Sequence, residues 1–529
     1  MASDYFEVAI IGAGPGGITA AHYLQRAGLT NFVILERADD FGGSWRDNFY
    51  PGLAVDVPTL FYQFPFARKP DWSRLFPDGP EIQRYNREVA QRLGLYAHFR
   101  GGSAVEREVW DEHNQVWVLD IAGQQPVTAR FVINAMGGYI NPKSSDQIPG
   151  TDEFAGTILR PNAWDPEYSC AGKRVALIGT GSSSVQILSA IAGEAQSVDV
   201  YQRTPAWILP KPDAEISARV QKVLALPGVV AALNGVVLAL MDLPLQLICN
   251  VLPKLPRSLL ATVLPQYDKI WRSVYRLLLR REVANPVDRA ALVPGYGILA
   301  KRPILSSTFF PALALPSVSL ITDPIERVTT DGMRTTDGVE RPYDLIVMAT
   351  GYELFTDPEA YRTGRIVGAS GLDLAEDYRR NGLRSYGGSA HSGFPNRWAL
   401  VAPQGYVGVA WHTFIDLTAR HAVRIISEAA RRRATVAQVR PAAFDRWVGR
   451  MRRNEKLIRT YTVDCNPGLR TYFVNSQGDA VYYRPQTISG AWWFSRRSPL
   501  SDYEFARGGP QSTPAAQDTS DRQEIEARA

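Results

Sequence analysis

The chain has 529 residues, 45% hydrophobic and 21% charged, with a formal net charge of +5. That length exceeds one hydrophobic core and predicts two or three domains, while the small net charge, without a long basic run, argues against nucleic-acid binding. Its three cysteines (Cys170, Cys249, Cys465) are far apart and its six histidines form no HxxxH or HxH pair, which argues against a disulfide framework or a metal site and fits a reducing cytoplasm.

Phe6 to Ile11 reads as a buried parallel strand, too short for a signal peptide, and runs directly into GAGPGG. Gly12, Gly14 and Gly17 satisfy GxGxxG, and ITAAHYLQRAG continues with helical periodicity. Gly12 permits the tight turn, Gly14 lets the backbone approach a pyrophosphate, and Gly17 lets helix and strand pack closely. The helix N-terminus then offers unpaired N–H groups to the phosphates. The next strand, NFVILE, ends at Glu36, about twenty residues on, as required of an acid that grips ribose hydroxyls. Gly42 and Gly43 follow, suited to close backbone approach, and Asp56 falls in an aromatic stretch with Tyr50 and Tyr62. That stretch reads either as a flavin surround or as a loop sealing a core.

The strand–glycine–helix unit recurs. Arg174 to Ile178 form its strand, and Gly179, Gly181 and Ser184 give a GxGxxS variant before a second helix. Here SVDVYQR ends in Arg203 and is followed by Thr204. An acid would repel a 2′-phosphate, whereas a guanidinium pairs with it. The first site therefore reads as built for FAD and the second for NADPH. Val223 to Met241 is nineteen residues without a charge, interrupted by Pro227, Gly228, Asn234 and Gly235 and closed by Asp242. It reads as a buried or lipid-surface helix pair rather than a transmembrane span.

With these parts in order, the chain resembles the class B flavoprotein monooxygenases, and within them the Baeyer–Villiger group. GAGPGG, GGSW followed by YPGLAVDV, GTGSSSVQ, YQRTP, AKRPIL and DLIVMATGYE carry the resemblance from about residue 6 to about 505. It implies that FAD is held through Gly12, Gly14, Gly17, Glu36, Gly43, Ser44, Trp45, Asp56, Tyr62 and Val105. It implies that NADPH is held through Gly181, Ser182, Ser183, Ser184, Gln186, Arg203, Thr204, Lys301 and Arg302. Hydride then reduces the flavin, oxygen adds to give a C4a-peroxyflavin, and one oxygen enters a hydrophobic ketone to give an ester or lactone. Arg302, partnered by Asp56, is the implied catalytic cation. A fixed guanidinium beside the flavin suits this role on physical grounds, because the peroxide and its adduct are both negatively charged. Sulfur or nitrogen oxygenation is the alternative reading, followed by an uncoupled NADPH oxidase or reductase. A disulfide reductase is disfavoured by the absence of CxxC.

Two departures stand out. FAGTILRPNAWD (154–165) fits the family's FxGxxxHxxxW linker at Phe154, Gly156, Trp164 and Asp165, but has Arg160 where the histidine belongs. Arginine donates hydrogen bonds and never accepts them, so the change is expected to alter the joint between domains more than the chemistry. VAPQGYVG (401–408) has Ala402 and Gln404 where the family has Gly-Pro-Asn.

The expected architecture is α/β, two Rossmann-like dinucleotide-binding domains with a helical insertion. The FAD domain comprises 1–148 and 384–506, the NADPH domain 149–212 and 300–383, the insertion 213–299, and a disordered tail 507–529. The expected partners are O2 and a hydrophobic small molecule, with no nucleic acid. The protein is expected in the cytoplasm, with contact to a membrane surface through 223–251.

Overall fold

Runs of buried residues in the central strands mark two sheets with apolar layers on both faces, the first mixed and the second parallel. The computed structural model describes residues 4–143, 148–407 and 410–507; the expected disordered tail lies, from residue 508 on, outside the described residues. Strand β1 (Asp4–Ile11) leads through the first glycine turn into helix α1 (Pro15–Arg26) and strand β2 (Phe32–Leu35). Ile11 lies opposite Leu35 in the parallel pair, so the glycine turn and Glu36 emerge at the same end of the sheet. Helices α2 (Ser44–Asp47) and α3 (Gly79–Arg92) precede β3 (Phe99–Arg100), which pairs with β2. Strands β4 (Val105–Asp111) and β5 (Val116–Ile121) run antiparallel to each other, and β6 (Val127–Asn134) returns parallel beside β1. Val8 and Ile10 point into one core, Ala9 and Ile11 into the other.

The chain then starts the second sheet with β7 (Thr157–Leu159), β8 (Arg174–Ile178), α4 (Ser182–Ile191) and β9 (Ser197–Tyr201). Strand β10 (Ile208–Leu209) leads into helices α5 (Ala218–Leu224), α6 (Val229–Gln246), α7 (Arg257–Glu282) and α8 (Pro286–Ala291). On return, β11 (Ile304–Leu305) pairs with β10, so this helical unit leaves and re-enters at adjacent points. Helix α9 (Phe309–Leu313), β12 (Val318–Ile321), the antiparallel trio β13 (Ile325–Val328), β14 (Gly332–Thr335) and β15 (Glu340–Pro342), and β16 (Leu345–Met348) complete it. The order of the sheet is β12-β9-β8-β16-β7, and every pair is parallel.

The return to the first sheet comes earlier than the sequence suggests. Strand β17 (Ile366–Val367), inside the stretch assigned to the NADPH unit, already pairs with β4. Two residues are too few to show a strand period, so the only cue available was the later one. Helix α10 (Leu374–Asn381) follows, and β18 (Arg397–Ala399) pairs with the end of β6 that β5 leaves free. Helix α11 (Trp411–Arg432) then packs on α1. Strand β19 (Val436–Val439), helices α12 (Pro441–Asn454), α13 (Lys456–Arg459) and α14 (Ile488–Arg497), and strand β20 (Tyr503–Ala506), paired with β19, close the described chain. The apolar stretch also differs from expectation. It breaks once, at Pro227 and Gly228 (φ +84°), and α6 runs through Asn234 and Gly235 without interruption.

Candidate active site

A cavity of 1340 Å³ is lined by the carboxyl ends of both sheets, where ligands bind in open α/β folds. From the first sheet come Gly12, Gly14 and Glu36; from the second come Ile178, Gly181 and Arg203. Of the residues singled out in the sequence, Gly17 and Ser184 do not line it. They are buried behind it, at the contact between helix and strand.

The first turn leaves no room for side chains. Gly12 has φ +103°, and a Cβ on Gly17 would fall 2.1 Å from the Gly12 carbonyl oxygen. Gly14 caps α1 without a side-chain hydrogen bond, so the amides of the first turn stay available to an anion. A Cβ on Gly43 would lie 3.0 Å from the Gly14 Cα, so the GGSW segment closes on the turn as a second backbone wall. The Glu36 carboxylate is buried and accepts from the amides of Ala13 (2.8 Å) and Ala38 (3.1 Å) and from Arg46 (3.2 Å). Trp45 Nε1 donates to the Tyr62 hydroxyl (2.8 Å), and Ser44 Oγ donates to the Tyr139 carbonyl (3.2 Å). Val105, at the start of β4, lines the far side.

The second turn shares the backbone but not the charge. Gly179 has φ +110°, and a Cβ there would lie 2.7 Å from the Ala349 carbonyl oxygen. Gly181 caps α4 without a side-chain hydrogen bond and faces open space. Arg203 is exposed, and Thr204 accepts from Thr180 through its carbonyl (3.1 Å). Burial, and then the charge of Arg203, lowers the pKa of Lys301. The two cations therefore share one neighbourhood, an arrangement that an oxyanion relieves. Ser182 and Ser183 line the cavity at the start of α4. Gln186 also lines the cavity, where its Oε1 accepts from the Tyr50 hydroxyl (2.8 Å) and its Nε2 donates to the Ala54 carbonyl (2.9 Å). It ties α4 to the loop that carries Asp56.

Where the two halves meet, Arg302 Nη2 donates to Asp56 Oδ1 (2.8 Å), with 32% and 27% of the respective side chains exposed. Burial alone would lower the guanidinium's pKa. The Asp56 carboxylate, then Tyr472, Tyr406 and Tyr139, outweigh it and hold the group above its ordinary value. The cation is thus permanent and aimed, with those tyrosines around it lining the same cavity. His412, in the first turn of α11, also lines the cavity. Burial pushes its pKa down to about 3, and neither ring nitrogen has a hydrogen-bond partner among the described residues.

Sequence reasoning missed Arg46, Tyr139, Tyr406, Tyr472 and His412. Arg46 directly follows GGSW, so its position was visible, but only the fold shows that it reaches Glu36. The aromatic residues lie on separate elements and have no spacing that relates them. Arg160 directly follows β7, where its carbonyl accepts from the Ala163 amide (3.0 Å); its neighbours Pro161 and Asn162 line the cavity and Arg160 does not. Gln404 is buried with φ +55° and donates to Glu455 (3.0 Å), pointing away from the site, while Tyr406 two residues on lines it.

The geometry fits two dinucleotides, one against each turn. Two uncapped helix N-termini supply amides for pyrophosphate, one acid and one pair of cations differ at the ribose ends, and the His412 imidazole has polar atoms to spare. A family model described as pyridine nucleotide-disulphide oxidoreductase matches residues 9–227. A Baeyer–Villiger monooxygenase of Streptomyces coelicolor is 34% identical over 513 residues, covering 96% of this chain and 94% of that protein. One from Pseudomonas aeruginosa is 34% identical over 411 residues, 77% of this chain and 74% of that protein. In fold, the chain is similar to the polycyclic ketone monooxygenase from Thermothelomyces thermophila, with a TM-score of 0.84 at 22% identity over 96% of this chain and 90% of the other. It is also similar to OTEMO in complex with FAD and NADP, with a TM-score of 0.81 at 22% identity over 96% and 100%.

Proposed function

The chain belongs to the Baeyer–Villiger family of flavoprotein monooxygenases, and we propose on that premise that it is an NADPH- and O2-dependent enzyme that inserts one oxygen atom into a hydrophobic ketone to give an ester or lactone. Bound FAD, reduced by NADPH, supplies the activation of oxygen. The first glycine turn, Gly43 to Trp45, Glu36 and Tyr62 hold the flavin dinucleotide. Gly181 to Ser183, Thr204 and the Arg203–Lys301 pair hold the nicotinamide dinucleotide, with the two cations on its 2′-phosphate. Arg302 stabilises negative charge as it develops at the reacting oxygen. Asp56 holds the guanidinium plane in direction, and the surrounding tyrosines exclude water, so the charge acts at low dielectric.

The observation that carries this reading is the 2.8 Å Asp56–Arg302 pair, facing a cavity that both glycine turns also line. Supporting it, the second unit's chain runs directly from the Lys301 of the phosphate site to the Arg302 of the reaction site.

One assay tests the proposal: NADPH consumption, oxygenated product and hydrogen peroxide measured together, against a panel of cyclic and open-chain ketones and thioethers. Ester or lactone in proportion to NADPH is the expected result. Sulfoxide alone would move the enzyme to heteroatom oxygenation. Peroxide with every substrate would make it an uncoupled oxidase.

A further inference from the structure

Helix α6 is apolar on its outside. Within Val229–Lys254, an 18-residue window has a mean hydropathy of 1.9, and only 6% of that window is buried. Leu233, Val236, Leu240, Leu243, Leu247 and Val251 are all exposed and recur at three- or four-residue spacing, the period of one helix face. Leu238, Met241 and Leu245, on the opposite face, pack against the core of the first sheet. Helix α7 repeats the pattern: Leu259, Val263, Tyr267, Ile270, Val274 and Leu277 are exposed at the same spacing, while Leu260, Tyr275 and Leu279 are buried. An exposed apolar surface on this scale marks a docking site.

Charge identifies what it docks on. Residues 218–282 hold nine Lys and Arg against three acids, a net +6 where the whole chain carries +5. The rest of the molecule is close to neutral. Of the three acids, Asp268 is buried and accepts from the Tyr461 hydroxyl (2.6 Å). Asp242 accepts from the Ile488 amide (2.6 Å) and the Ser489 hydroxyl (2.6 Å), while one of the cations, Arg257, is ion-paired with Asp464 outside the segment (2.6 Å). On α7, Lys269, Arg276 and Arg280 are exposed beside the apolar stripe. Asp242 also fixes α6 to the start of α14, which adds Trp492 (47% exposed) and Trp493 (60% exposed), each with an arginine stacked on its ring. Tryptophan and arginine side by side suit the headgroup layer, where one end is apolar and the other wet.

We propose that α6, α7 and the tryptophans of α14 form a surface that lies on an anionic lipid bilayer, with α6 embedded side-on in the headgroup–acyl boundary. A span is incompatible with this anchoring. Helix α6 is tied at Asp242 to α14 and packs its inner face on the protein core, whereas a spanning helix must be surrounded by lipid along its whole length. A hydrophobic substrate dissolved in that bilayer would then lie on the enzyme's own side of the water.

The FAD-loaded full chain, floated with phosphatidylcholine vesicles with and without phosphatidylglycerol, tests this. Binding to the anionic vesicles that weakens with salt is expected. Leu240→Glu with Leu243→Glu should lower the bound fraction by about ten-fold or more, with FAD content and NADPH consumption unchanged. Arg276→Glu with Arg280→Glu should lower binding to the anionic vesicles only. No flotation with either vesicle would overturn the proposal. So would binding that only detergent reverses, which means a span. A concentration-dependent dimer abolished by the leucine substitutions, without flotation, would assign the face to a second copy of the chain.

Discussion

The two glycine turns start from the same backbone and diverge in two places. Both place a glycine at high positive φ after a buried strand and leave the helix N-terminus uncapped. At the tip of the second strand, however, the first turn presents Glu36, whereas the second presents Arg203 with Lys301 nearby. At the third motif position the first has Gly17, pressed on the Gly12 carbonyl, and the second tolerates Ser184. On the proposed reading the backbone provides a general pyrophosphate site, and the side chain at the strand tip decides which dinucleotide it takes. The reaction centre belongs to neither turn. Asp56 comes from the loop after the first, and Arg302 from the segment just before β11.

The largest expected effect therefore comes from separating the two halves at that pair. Arg302→Ala should retain FAD, because the flavin phosphates and ribose are held elsewhere, while oxygenated product falls by about a hundred-fold or more. Asp56→Ala should show a milder loss, with the cation present but poorly aimed. Undiminished product from Arg302→Ala, measured by chromatography against NADPH consumed, would detach the pair from the chemistry.

The next effect breaks the likeness of the turns. Gly17→Ser places an atom 2.1 Å from a backbone oxygen and should cost about 2–3 kcal/mol of stability, read as a lower unfolding midpoint and partial loss of flavin. Ser184→Ala at the matching position should be neutral or slightly stabilising. Its hydroxyl is buried with no hydrogen-bond partner among the described residues, so removing it relieves a desolvation cost. Equal destabilisation by the two changes would mean that the units pack alike.

Third in size is the charge contrast itself. Arg203→Ala should raise the KM for NADPH by about ten-fold, with little change for NADH, because a charged contact contributes roughly 1.5–3 kcal/mol. A pH profile sharpens this. Burial and the Arg203 charge lower the pKa of Lys301, so Lys301 loses its proton at a lower pH than an ordinary lysine, and NADPH affinity falls early on the alkaline side. Removing the guanidinium should move that fall to higher pH. A loss shared equally by NADH and NADPH would remove both cations from the 2′-phosphate.

The contrast between the turns was legible because each rests on short-range order: strand, glycines, helix and tip residue within a few tens of residues. Asp56 and Arg302 were legible only through the resemblance, since 246 positions separate them and no periodicity relates them. The tyrosines around Arg302 were invisible for the same reason. They come from the loop after β6, from the segment before α11, and from the stretch between α13 and α14. Gln186, which the resemblance implies for NADPH, does line the cavity, but both ends of its amide also bond the Tyr50–Ala54 loop. A helical position gives its direction only once the neighbouring element is known. The apolar stretch of α6 was read as buried or at a lipid surface, and only the fold shows which face the core leaves uncovered.

The smallest effect is expected at Arg160. It follows the edge strand β7, its backbone turns the chain at Ala163, and Pro161 and Asn162, not Arg160, line the cavity. Histidine and arginine both donate at such a joint, so Arg160→His should leave FAD content, product identity and the KM for NADPH within about two-fold, the range of a surface change of less than about 0.5 kcal/mol. What it can change is coupling. On the proposed reading the joint connects the NADPH-holding unit to the flavin-holding unit, and a motion between them would time reduction against oxygenation. The measurement is therefore the fraction of NADPH lost as hydrogen peroxide at saturating ketone, compared with the parent enzyme. A shift in that fraction with the product unchanged would make the residue mechanical. A new class of product, such as sulfoxide in place of ester, would place Arg160 in the chemistry and shift the boundary between the two halves into the reaction site.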